Sequence, residues 1–121
     1  MNVYDKAAAV LVERGWAKGA YNTKYGVCAT YALMLAVNPK IGEDAWADEV
    51  QLAEYSASCR FMEKLLLDKD LINARTPMSG FEREDKPYTL VGWNDMVAKD
   101  ADDVIHLLKE ASEAWDLEHP E

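Results

Sequence analysis

Apolar residues recur along this chain with a helical period, and no stretch shows the sustained alternation of a strand. Between Val3 and Arg14, the residues Tyr4, Ala7, Ala8, Leu11 and Val12 share one face at 3.6-residue spacing, which predicts a first helix. Asn2 stands where its N-cap belongs, and Gly15 takes the left-handed position that ends it. A loop over residues 16–27 follows, holding Gly19 and Gly26. The next ten positions, 28–37, are apolar on every side. That pattern predicts a central, buried helix, and Asn38-Pro39 ends it.

Residues 42–67 read as one long helix or two broken ones. Acidic Glu43, Asp44, Asp48 and Glu49 suit its N-terminal dipole. Trp46, Val50, Ala53, Ala57, Phe61, Leu65 and Leu66 form its expected apolar stripe. Residues 74–91 hold Pro77, Gly80, Pro87 and a run of charges, and read as a long irregular loop. The last helix has Asp100 as N-cap, Asp103 at N3 and Asp102 in the first turn. Val104, Leu107, Leu108, Ala111 and Trp115 form its buried face, and residues 118–121 read as a frayed tail. The fold class is therefore all-α: one compact domain, residues 1–121, with four to five helices around the apolar second helix and one long loop before the last.

Composition narrows the function. Half of the 121 residues are hydrophobic, enough for a real core. The net charge of −9 argues against a general nucleic-acid binder and against adhesion to anionic membranes. No basic n-region with an apolar h-region opens the chain, and no apolar run reaches membrane-spanning length. A cytoplasmic protein is expected. Cys28 and Cys59 read as buried reduced thiols. With His106 and His119 they make no zinc pattern, so neither metal nor cofactor is expected.

The charge is uneven. Residues 1–42 sum to +3 and residues 43–121 to −12. Residues 14–25 hold Arg14, Lys18 and Lys24 with no acid. This is either a solvated loop or a local anion site. Four Trp and six Tyr against two Phe favour half-buried positions and interfaces. Trp93-Asn94-Asp95, just before the last helix, reads either as a turn with its indole packed inward or as a polar pocket edge with Trp93 stacking on a flat ligand.

Three motifs resemble one family. Gly15-Trp16 with Gly19-Ala20, then Cys28-Ala29 with Ala32-Leu33 opening the apolar helix, then Trp93-Asn94-Asp95, are similar to a family of small uncharacterised proteins from actinobacteria and their phages. The acidic middle, residues 42–85, matches no motif. The resemblance implies a fold and a bacterial or phage origin, with no activity attached.

Three functions are weighed. The first is a non-catalytic binding protein that occludes a host protein or sequesters a small anionic, nucleotide-like ligand. Arg14, Trp16, Lys18, Tyr21, Lys24 and Tyr25, with the amides opening the second helix, are its expected site, and Trp93, Asn94 and Asp95 close the other side. The second is a cysteine-dependent hydrolase or transferase, with Cys28 near a helix N-terminus as nucleophile, His106 as base and Asp95 as orienting group. Its alternative is a structural Cys28 on an apolar helix. The third is an acidic mimic of DNA, which needs rows of carboxylates at phosphate-like spacing where the sequence has scattered acids.

Overall fold

The computed structural model describes residues 2–17, 22–24, 26–39, 48–69, 90, 93–94 and 97–119. Four helices make up most of them: α1 (Val3–Arg14), α2 (Ala29–Val37), α3 (Glu49–Asp68) and α4 (Ala101–Glu118). Each begins at a side chain that accepts orphan backbone N–H groups. The carbonyl of Asn2 accepts from the amides of Tyr4 and Asp5, at 3.0 Å each. Asp48 and Gln51 form a reciprocal capping box, with bonds of 2.8 and 3.0 Å. Asp100 accepts from the Asp103 amide at 3.0 Å. Cys28 is the N-cap of α2 and not its first residue, and its Sγ accepts from the Tyr31 amide at 3.4 Å.

The predicted loop over 16–27 contains structure. Strands β1 (Asn22–Thr23) and β2 (Gly26–Val27) pair antiparallel, and Val27 also bridges to Trp16. Strands of two residues are too short to leave an alternating pattern in the sequence. Gly26 packs directly on the chain leaving α1. A Cβ there would lie 2.7 Å from the backbone of Gly15 and Trp16, so only glycine fits. Gly15 itself has the positive φ expected of it, 85°, but with an extended ψ of 171° and not the left-handed helical value.

α1 packs against both α2 and α4, and α2 also packs on α3. Tyr4, Leu11, Leu33, Met62, Leu66 and Leu108 are fully buried within one shared core. Each such side chain contributes roughly 1.5–3 kcal/mol relative to exposure. Besides capping α1, Asn2 donates from Nδ2 to the Ser112 hydroxyl at 2.9 Å, so it also ties the start of α1 to the last turns of α4.

Several expectations are corrected. Val12 is 72% exposed, because the contact stripe of α1 ends at Leu11 and the next residue lies about 100° around the helix. Val50 is 75% exposed, and Ala53 and Ala57 are exposed too. The buried face of α3 is Ser58, Cys59, Met62, Glu63 and Leu66, rotated by about one residue from the expected stripe. The rotation puts Glu63 inside, where its carboxylate accepts from the Leu90 amide at 2.9 Å. Helix α3 starts at its Asp48 cap, and Trp46 with residues 42–47 lies outside the described residues. The tail is not frayed at Glu118, which belongs to α4, and the His119 ring stacks on Trp115 at 3.7 Å. Of the expected long loop over 74–91, only Leu90 is described; it is helical and buried. Among the described residues no helix is long and apolar enough to cross a membrane.

Candidate functional site: the Trp93 cleft and the Asn94 knot

The two neighbours in Trp93-Asn94 have different surroundings. Asn94 is completely buried. Its Oδ1 accepts from the indole Nε1 of Trp16 at 2.7 Å and from the backbone amide of Ala29 at 3.0 Å. Its Nδ2 donates to the carbonyl of Ala17 at 3.1 Å. One side chain thus joins the segment after α1, the start of α2 and the helical residues Trp93-Asn94 that precede α4. The backbone adds two bonds nearby, Val27 amide to Gly15 carbonyl at 3.0 Å and Ala17 amide to Val27 carbonyl at 2.9 Å. Each group gathered here would be costly if buried without its partner.

Trp93, 4% exposed, lines a cleft of about 370 Å³ with Val97, Ala98 and Leu107. Charged side chains from two helices complete the lining: Lys69 at the end of α3, and Lys99, Asp103, His106 and Glu110 on or just before α4. Glu110 accepts from the Lys69 ammonium, and its Oε1 lies 3.1 Å from His106 Nε2. Asp103 accepts from the Lys99 backbone amide at 2.9 Å. The Lys99 ammonium has no ion pair among the described residues. The cleft therefore has an apolar wall, a neutralised cluster at one edge and, at another, Lys99 beside the Asp103 carboxylate, its ammonium in no ion pair among the described residues.

The expected site residues divide between these two regions and the surface. Arg14 is exposed at the end of α1, and Lys24 is exposed at the hairpin turn. Trp16 is half-buried, with its N–H committed to Asn94. Lys18, Tyr21, Tyr25 and Asp95 lie outside the described residues. Two amides that α2 was expected to offer a phosphate are used internally, Ala29 by Asn94 and Tyr31 by Cys28. Asn94 was expected either in a turn or at a pocket edge; it is helical and sits inside the protein, where three backbone and indole groups converge on it.

Cys28 is 2% exposed, and its Sγ lies 3.0 Å from the Thr30 hydroxyl. His106 has a side chain 78% exposed and faces Glu110, one turn further along its own helix. A nucleophile must present its sulfur to substrate and its base to the sulfur. The thiol here is enclosed, and the imidazole is engaged elsewhere.

Sequence reasoning missed Lys69, Lys99 and Glu110. A partial signal existed, since Asp103, His106 and Glu110 recur at i, i+3 and i+7 around Leu107, which places them along one side of a helix. Lys69 comes from a different helix 41 residues away from its partner, a separation no local spacing shows.

Residues 1–114 match the family described as "Family of unknown function (DUF6197)". The match spans nearly the whole chain, so the chain belongs to that family. No curated protein and no solved structure matches it.

Proposed function

We propose that this member of the family is a non-catalytic binding protein that holds a small anionic, nucleotide-like ligand in the Trp93 cleft. The observation that carries the reading is an indole in the lining of a 370 Å³ cleft that also contains Lys99, a lysine without an ion pair among the described residues. A cleft of that size falls in the usual range for small-ligand sites, roughly 300–1,000 Å³. The ligand's ring packs against Trp93, Val97 and Leu107, and its anionic group meets Lys99. Lys69, paired with Glu110, adds ammonium N–H donors at the other edge. The enclosed Cys28 favours binding over covalent catalysis. The Gly15-Trp16, Cys28-Ala29 and Trp93-Asn94-Asp95 motifs support an actinobacterial or phage origin.

Isothermal titration with a panel of nucleoside mono-, di- and triphosphates tests the reading. Binding is expected to weaken at high salt, because the cation is exposed and screened. Lys99→Ala is expected to lower affinity about tenfold, the effect of one charge-assisted contact. No heat with any nucleotide at millimolar concentration would overturn it.

A further inference from the structure

A second cavity, of about 270 Å³, lies at the opposite end of the bundle, where the start of α1 meets the ends of α2 and α4. It shares no lining residue with the Trp93 cleft. Val3, Ala36 and the Trp115 indole give it apolar walls. Lys6 enters from α1 and Glu54 from α3, and neither makes an ion pair among the described residues. Ser58 is one turn beyond Glu54 on the same face of α3 and is 3% exposed. Its hydroxyl proton goes to the Tyr55 carbonyl at 2.7 Å, which leaves the oxygen able to accept from a donor in the cavity.

Opposite charges that line one cavity without pairing to each other are complementary to a ligand that bears both. We propose that this cavity binds a free α-amino acid with an apolar side chain. The ligand carboxylate pairs with Lys6. Its ammonium meets Glu54 and the Ser58 hydroxyl, and its side chain lies against Trp115, Val3 and Ala36. The volume is just below the roughly 300–1,000 Å³ of sites for larger ligands, which suits one amino acid and not a peptide. Trp115 is held in place for this contact by His119, stacked at 3.7 Å, and by the edge of Phe61, at 5.3 Å.

The test is titration calorimetry with L-leucine and L-phenylalanine, each beside its N-acetyl and its amide derivative. The free amino acids are expected to bind, and each capped form about tenfold more weakly, since each lacks one charge. Lys6→Met should erase the preference for the acid over the amide. Glu54→Gln should erase the preference for the amine over the N-acetyl form. Both positions are exposed, so the variants keep the fold, as circular dichroism can verify. Lys99→Ala should leave this binding unchanged, which separates it from the nucleotide reading. No heat with either amino acid at millimolar concentration, or equal affinity for free and capped forms, would overturn the proposal.

Discussion

Two asparagines hold opposite ends of the same helix pair. Asn2 sits at the start of α1 and reaches Ser112 near the end of α4, in half-exposed surroundings. Asn94 sits just before α4 and reaches Trp16 and Ala17 just after α1, with no exposure at all. Both use a carbonyl to accept two N–H groups and an amide to donate across the fold. Burial distinguishes them. Groups released around Asn2 can turn to water, whereas those released around Asn94 stay desolvated and unpaired. The same chemistry is a modest stabiliser at one end and a requirement at the other. Each end also has a cleft, one lined by Lys99 and one by Lys6 together with Asn2 itself, whereas Asn94 lines neither.

The sharpest way to break the comparison is Asn94→Ala. It strands the Trp16 indole N–H, the Ala29 amide and the Ala17 carbonyl, and should cost about 3–5 kcal/mol in urea unfolding. Gly26→Ala strikes the same end through sterics. Its Cβ would meet the Gly15 and Trp16 backbone at 2.7 Å, and a loss of about 2–3 kcal/mol is expected, read as a lower thermal midpoint. At the other end, Asn2→Ala removes the α1 cap and the link to Ser112. A loss of about 1–2 kcal/mol should appear in the same urea assay, and a value equal to that of Asn94→Ala would refute the role given to burial.

A smaller effect concerns pH at the Asn2 end. Burial pushes the Tyr4 phenol above its usual range, and the nearby Cys59 and Glu118 add to the shift. A raised folded-state value means the folded protein holds that proton more tightly than the unfolded chain. The stabilisation is complete below the unfolded value, near pH ~10, and is lost as pH rises beyond it. Thermal melts should therefore fall by about 1 kcal/mol near pH ~11, and Tyr4→Phe should remove that part of the alkaline loss. The smallest stability change is expected for Lys99→Ala, within about 0.5 kcal/mol, so that a loss of nucleotide affinity in this variant would report on the proposed contact and not on the fold.

Much of the fold was legible in local sequence. The boundaries of α1 follow from Asn2 and Gly15, and the start of α4 from Asp100 and Asp103. Capping depends on residues three or four positions apart, so short spacing contains the information. The faces of the helices were less legible. Val12 and Val50 look like core residues, yet they point to solvent, because a stripe shows which residues are apolar and not which neighbour will cover them. Glu63 was invisible as a core residue, since a carboxylate is buried only when a distant amide such as that of Leu90 comes to meet it.

The candidate site was legible in part. The sequence singled out Trp16, Cys28, Trp93 and Asn94 as a group of unusual positions, and tertiary structure divided them between the interior and a cleft wall. Asn94 meets Ala29 across 65 positions and Trp16 across 78. Contacts of that range arise only when helices pack, and packing decides which polar atoms lose water. The sequence by itself determined helix positions, caps and the apolar second helix, because these rest on local spacing and backbone hydrogen bonding. Only the tertiary structure decided that Asn94 is enclosed by its three partners while Trp93, also part of the buried core, borders a cleft, because that choice depends on which surfaces the other helices bring to meet them.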